Sequence, residues 1–239
     1  MKKVLALFVF AALASGAGAQ KVVNDDNAEK RSVSGFHGIE VSTGIQLVLT
    51  ESTTEDVAVS AATTEFRDKI ITKVDNGILK IYYENKSNLT INKREKRDLK
   101  AWVSYKTLDK LDANTGAQVT IEGSLKSSSV KMNVNTGATV KGAINIDDLD
   151  VDQNTGSVIT FTGNASKLTV DGDTGSTFKG TDLTTNNCNV TASTGAGVYI
   201  TVQKELNVKA NTGGYVKYKG DAGIREIKTN TGGSVSKIK

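Results

Sequence analysis

The 239-residue sequence contains no proline, a single cysteine and a single histidine, and aromatic residues make up only 5% of it. One cysteine excludes a disulfide framework within the chain. One histidine excludes a metal site built from several histidines and argues against a histidine-dependent hydrolase. With 38% hydrophobic residues and a formal net charge of +4, the chain can form a core and lacks the composition of a disordered protein. Composition therefore argues against an enzyme before any motif is considered.

Residues 1–19 have the features of a secretory signal peptide. Lys2 and Lys3 precede an apolar stretch from Val4 to Ala14, and Ala17-Gly18-Ala19 provides a small-residue cleavage site. The apolar stretch is shorter than the ~20 residues that a membrane-spanning helix needs, so no transmembrane segment is predicted. We expect export to the periplasm, the outer-membrane surface or the extracellular space, which makes nucleic acid an unsuitable partner.

The rest of the chain is dominated by a Thr-Gly dipeptide that recurs about every 19 residues. An Asn, Asp or Ser precedes each Thr, and these residues together with glycine favour tight turns. The residues five before and three after each repeat glycine are all apolar, and odd offsets indicate strands. The predicted turn glycines are Gly116, Gly137, Gly156, Gly175, Gly195, Gly213 and Gly232, with Gly44 in an outlying copy of the same pattern.

A unit of this length is too small to fold by itself. Ordering each residue costs about 1–2 kcal/mol, whereas each of its few buried side chains returns only about 1.5–3 kcal/mol. Stacking makes up this shortfall in folding free energy, because each coil buries its faces against the next. The repeat therefore predicts an all-β fold, a parallel β-helix over residues 111–239. A β-propeller is the alternative, but its blades need ~40 residues and four strands.

The segment before the repeats is less regular. Residues 33–110 are predicted to form a β-rich cap that continues the solenoid as one domain over 33–239, and residues 20–32 are predicted to be flexible. Asp75-Asn76-Gly77 lies between two alternating apolar runs in Ile70 to Glu84 and predicts a hairpin. Leu99, Ala101, Val103 and Tyr105 alternate as a further strand.

The run from Gly35 to Leu49, the hairpin and the stacked Thr-Gly repeats together resemble the auto-transporter adhesin, head-GIN domain, family of exported bacterial proteins. The likeness covers about residues 33–239. Gly44 and Ile45 match the Gly-Ile-Asn motif, and Gln46 replaces its asparagine. The resemblance implies a right-handed parallel β-helix similar to the pectin-lyase superfold, and an adhesive role.

The outward column four residues before each glycine contains the candidate binding residues. Asp152 and Asp171 are expected to be neighbours in the stack, with Asp150 nearby. Carboxylate oxygens suit calcium, so these three are weak candidates for a cation site, although a solvated face is the preferred interpretation. No catalytic or cofactor-binding residues are predicted. The mixed-charge run from Lys93 to Asp98, interrupted by acids, is interpreted as an exposed loop.

Two functions are consistent with these sequence features. The first is a non-enzymatic exported module that attaches to surface polysaccharide or to a host or envelope protein. The second is a β-helix polysaccharide lyase or hydrolase acting on acidic glycans. The lack of an acid and base pair in the outward columns favours the first.

Overall fold

The computed structural model describes residues 25–84 and 96–239, so the predicted signal peptide and the first part of the charged run lie outside the described residues. Strands dominate the described chain. In order they are β1 (Glu29–Lys30), β2 (Gly38–Val41), β3 (Gln46–Glu51), β4 (Asp56–Ser60), helix α1 (Thr64–Asp68), β5 (Ile70–Asp75), β6 (Ile78–Tyr83), β7 (Lys100–Tyr105), β8 (Lys110–Ala113), β9 (Gln118–Val134), β10 (Thr139–Gln153), β11 (Val158–Gly172), β12 (Thr177–Ala192), β13 (Gly197–Ala210), β14 (Tyr215–Lys219), β15 (Gly223–Thr229) and β16 (Ser234–Lys237).

The repeats form a β-solenoid of about seven turns of ~19 residues, as predicted. Strands β9 to β13 each wrap most of one coil, and each pairs in parallel with the strand of the coil before and after. Equivalent residues stand directly above one another, as in the inward column Met132, Val151, Val170 and Val190. These side chains are almost completely buried. The apolar positions that the repeat defines are therefore the core of the solenoid.

Both residues of each Thr-Gly turn adopt a positive φ. In one coil Thr155 has φ 48° and Gly156 has φ 67°. The amide of the residue after the glycine donates to the carbonyl of the residue before the threonine, as Ser157 donates to Asn154 over 3.2 Å. The glycine amide donates to the threonine carbonyl of the next coil, as Gly156 donates to Thr174 over 3.0 Å. The turns thus stack as a bonded column, and that bonding opposes the strain of a β-branched residue in the left-handed region.

The N-terminal part continues the solenoid in a different chain order. Strands β2 and β3 form a coil around Gly44 that stacks on the first regular coil through β8 and β9. On the other side of this coil lie β6 and β7, which come later in the sequence. Strands β5 and β4 then pair antiparallel with β6 and β7 on the side away from the regular coils. The predicted hairpin is confirmed as β5 and β6, and the predicted alternating strand is β7.

The segment predicted to be flexible, residues 20–32, is described from residue 25 onward, and that part is anchored. Glu29 and Lys30 form β1, which pairs antiparallel with β4. Arg31 and Arg67 both bond Glu29, at 2.9 and 2.8 Å. The polar composition of the segment did not predict a strand. An outer edge strand can be held by backbone pairing and ion pairs, without buried apolar side chains.

A continuous hydrophobic cluster runs along the solenoid from Phe36 to Val216. The last coil, formed by β15 and β16, pairs with β13 and β14 on one side only. Its inward residues Ile224 and Ile227 are 44% and 41% exposed.

Candidate functional site

Two outward faces flank the column of turns. The leading face comprises the outward residues four, six and eight positions before each turn glycine. The trailing face comprises the outward residues two and four positions after it. Both faces are built from parallel strands, so side chains of successive coils form rungs ~4.8 Å apart. Any ligand that lies along the solenoid axis would contact one residue of each coil.

The leading face contains the predicted acidic column, and lysines of the same face neutralise part of its charge. Asp152 and Asp171 are direct neighbours across β10 and β11, as predicted. The Nζ of Lys131 lies 3.4 Å from Asp152 and 3.9 Å from Asp150. Lys167 pairs with Asp148 one coil away at 2.8 Å. Lys131 and Lys167 therefore neutralise part of the acidic column across coils.

No lysine among the described residues pairs with Asp171, and the electrostatics of its carboxyl group differ. Desolvation of its carboxyl group, together with the charges of Asp152, Asp173 and Asp150, raises its pKa above the ordinary value. Within residues 25–84 and 96–239, no three or more His, Cys, Asp or Glu side chains are grouped so that they could hold a metal ion. The candidate set Asp150, Asp152 and Asp171 therefore lies on neighbouring rungs without converging on one point.

Two shallow grooves run along the leading face. One, of about 250 Å³, is lined by Lys131, Asp148, Asp150 and Lys167 among others. The other, of about 420 Å³, lies near the last coils, where Asn207 donates to Asn189 over 2.9 Å. Both are lined by side chains that already bond each other. In the first groove, Lys131 and Lys167 are paired with its aspartates.

The trailing face has a different composition. Its column four positions after the turn glycines pairs rung by rung through nine strands. From the N-terminal end, this trailing ladder consists of Trp102, Val48, Thr120, Lys141, Thr160, Lys179, Tyr199, Lys217 and Ser236. It contains three lysines and no carboxylate. The column two positions after the glycines also lacks carboxylates from Gln118 to Ser234. The nearest acids of the next outward column are Glu122 and Asp182.

An aromatic pair lies near the C-terminal end of the trailing ladder. The Tyr199 and Tyr215 rings meet edge to face, with centroids 5.9 Å apart and planes at 84°. The Tyr215 ring lies across Gly197, where a Cβ would overlap it. The Nζ of Lys217 lies 5.7 Å from the Tyr199 centroid and 6.0 Å from the Tyr215 centroid. Tyr218 has the opposite parity and packs against the core, so it does not join the pair.

The single cysteine, the single histidine and the described end of the charged run have structural roles. Cys188 lies between Leu168 and Leu206 in an inward column, and burial raises the pKa of its thiol to about 12. His37 bonds Asp109 through Nδ1 at 2.7 Å. In the described end of the charged run, Arg97 lies over the Tyr83 ring and Asp98 pairs with Lys100.

The acidic column was predicted from the sequence, whereas the trailing ladder was not predicted as one continuous column. The column was visible in the seven aligned repeats, four residues after each glycine. Trp102 and Val48 join it only through strand pairing, because β7 follows β3 by about fifty residues in the chain and stacks on its outer side.

The family model described as "Putative auto-transporter adhesin, head GIN domain" matches residues 35–222. A "putative adhesin" from Bacteroides fragilis has a similar solved structure, with 16% identity, a TM-score of 0.78, and coverage of 88% of this chain and 95% of that one. A "putative adhesin" from Parabacteroides merdae has 15% identity, a TM-score of 0.69, and coverage of 89% and 96%.

A "putative lipid binding protein" from Parabacteroides distasonis has 20% identity, a TM-score of 0.62, and coverage of 90% and 98%. At these identities the three likenesses show the fold. The comparison with curated proteins found no match. Across the part of the chain that the structure describes, no helix is long and apolar enough to span a membrane.

Proposed function

The chain belongs to the head-GIN auto-transporter adhesin family, and on that premise we propose that it is an exported, non-enzymatic attachment module that binds extended polysaccharide along its trailing face. The observation that carries the proposal is the trailing ladder itself. It is a straight column of outward side chains with an aromatic residue near each end and no carboxylate.

The dimensions of the ladder suit a chain-like ligand. Eight steps between nine rungs span ~38 Å at the spacing of paired strands. A polysaccharide laid along the axis would contact hydroxyl, ammonium and aromatic groups in turn. The leading face offers the same length, but Lys131 and Lys167 there are paired with aspartates of neighbouring coils.

The chemistry of the ladder favours sugar over protein. Protein interfaces usually have an apolar centre, whereas the middle of this face is Thr120, Lys141, Thr160 and Lys179. Among the residues that the structure describes, the large exposed hydrophobic side chains are Ile224 and Ile227, which lie on the last coil and not on this face. Hydroxyls and ammonium groups bond sugar hydroxyls, and a tyrosine ring covers the apolar face of a pyranose while keeping a polar tip.

A binding assay with matched variants tests the proposal. The purified protein is titrated with a panel of neutral and acidic polysaccharides, and the double variant Tyr199→Ala with Tyr215→Ala is compared with the leading-face variant Lys131→Ala. We expect the tyrosine variant to lose at least tenfold in affinity and the lysine variant to bind like the parent. Equal loss in both, or no binding of any polysaccharide, would overturn the proposal.

The same samples are assayed for new reducing ends and new unsaturated ends. We expect none with any polysaccharide, because Lys131 and Lys167 of the leading face are held in ion pairs with aspartates and the trailing ladder contains no carboxylate. Release of such ends by the parent, abolished by a substitution on either face, would replace the attachment module with the lyase or hydrolase alternative.

A further inference from the structure

The lysines of the trailing ladder stand on every second rung. Lys141, Lys179 and Lys217 are separated by Thr160 and Tyr199, each of which pairs directly with the lysines beside it. Two rungs correspond to ~9.6 Å along the axis. This is close to the length of two sugar units in an extended polysaccharide.

These lysines are free of carboxylate partners. All three side chains are exposed, and no ion pair joins them to an acid within the described part of the chain. Lys217 instead lies beside the two tyrosine rings, a contact that holds the ammonium in place at small energetic gain. On the leading face, by contrast, Lys131 and Lys167 are each held by aspartates.

Stacking alone does not require the alternation. Like charges on adjacent strands repel modestly, which would favour spreading lysines apart. Lys209 and Lys228 are direct neighbours on the leading face, where Glu226 pairs with Lys228 at 2.6 Å. The fold thus accepts lysines on adjacent rungs when an acid offsets them, and repulsion alone does not fix a regular two-rung interval. The two-rung spacing on the trailing face is therefore open to a functional cause.

On the basis of the proposed function, we infer that the ligand is an anionic polysaccharide that presents one carboxylate per two sugars toward the protein, with Lys141, Lys179 and Lys217 each binding one carboxylate. The residues between them meet the intervening sugars. Thr160 offers a hydroxyl, and Tyr199 with Tyr215 offers an aromatic surface. A nucleic-acid duplex fits less well, because each of its strands carries a phosphate every ~3.4 Å.

The first experiment compares one polysaccharide with and without its charge. The purified protein is titrated with hyaluronan, which alternates uronate and N-acetylhexosamine, and with carboxyl-reduced hyaluronan of the same length. We expect at least tenfold weaker binding of the reduced polymer. Equal binding of the two would overturn this inference and leave the proposed function intact, whereas failure to bind any polysaccharide, charged or neutral, would overturn both.

The second experiment moves a charge without removing it. The double variant Thr160→Lys with Lys179→Thr keeps the net charge of the face but places lysines on adjacent rungs, and Lys179→Gln removes one charge. We expect both variants to bind hyaluronan at least fivefold more weakly than the parent. A rearranged variant that binds like the parent would show that total charge, rather than spacing, determines binding, and would overturn the inference.

Two controls protect the second experiment. Lys131→Gln removes a lysine from the leading face, and we expect unchanged binding. Each variant is first shown to unfold at the temperature of the parent, so that loss of binding is not loss of fold. A duplex DNA of matched length is titrated as well, and DNA binding tighter than hyaluronan binding would overturn the assignment of the ligand class.

Discussion

Two glycines of one coil should respond very differently to the same substitution. Gly156 lies in the Thr-Gly turn with φ 67°, and Gly163 lies at the next corner with φ 104°. A Cβ at Gly156 would meet nothing within 4 Å, whereas a Cβ at Gly163 would overlap the backbone carbonyl of Ile144 in the preceding coil. At Gly156 only the backbone conformation disfavours a larger residue. At Gly163 both the backbone conformation and the lack of space disfavour it.

The magnitudes follow from these differences. Gly156→Ala requires an alanine in the left-handed region, which costs about 1–2 kcal/mol, and the more restricted unfolded chain returns about 0.4–1 kcal/mol. The expected net loss is about 1 kcal/mol. Gly163→Ala adds overpacking of about 1–3 kcal/mol to backbone strain of about 1–3 kcal/mol. It must also push β11 away from β10, so we expect a loss of about 3–5 kcal/mol.

Asparagine variants separate the two causes. Asparagine tolerates the left-handed region better than alanine, so Gly156→Asn should recover part of the loss at the turn. Gly163→Asn also carries a Cβ and should recover nothing. Unfolding in urea, followed by far-ultraviolet circular dichroism, gives the midpoints. Equal losses for alanine at the two sites, or recovery by asparagine at Gly163, would refute this account of the corner.

Two further predictions concern single side chains. Because Cys188 is buried and its thiol pKa is raised to about 12, a bulky maleimide at pH 8 should label the native protein at least 100-fold more slowly than the unfolded one, and prompt native labelling would contradict the inward placement. Because the pKa of Asp171 is raised in the fold, its contribution to stability is lost as the pH rises through the folded pKa. Asp171→Asn should therefore raise the thermal midpoint at pH 7, with a difference that shrinks toward pH 3. Calcium that stabilised the parent but not this variant would indicate a cation at Asp171.

The regular coils were predictable because one rule repeats. Inward side chains at odd offsets from each glycine identify both the strands and their register, and the structure places Val151 above Met132 and below Val170 accordingly. The glycine of each turn was also predictable. The left-handed threonine was not, since a β-branched residue disfavours that conformation. The hydrogen bonds of the stacked turns support it, together with side-chain acceptors such as Asn154, whose Oδ1 accepts from the Thr155 amide.

The order of the N-terminal coils was beyond the reach of the sequence pattern. Alternation shows which side chains of β6 and β7 face inward, but not which strands they pair with. The β2 and β3 coil could stack on the first regular coil directly, or with the β6 and β7 coil between them, with the same inward residues. The structure has the β2 and β3 coil in the middle, and Trp102 consequently lies at the end of the trailing ladder, beyond Val48.

The two outward faces show at which positions the repeat does not constrain the choice of residue. Packing constrains the inward columns, where most side chains are apolar and buried and the few polar ones, such as Gln153 and Thr185, are also buried. It imposes no comparable demand outward. The same backbone therefore carries Asp152 paired with Lys131 on one face and, on the other, Lys179, which pairs with no carboxylate of the described residues. Solubility would be served equally by either arrangement. A row of unpaired, regularly spaced lysines costs little stability in the free protein. It gains interaction energy only when an anion with matching charge spacing binds. This difference makes the trailing face the better place to look for the ligand.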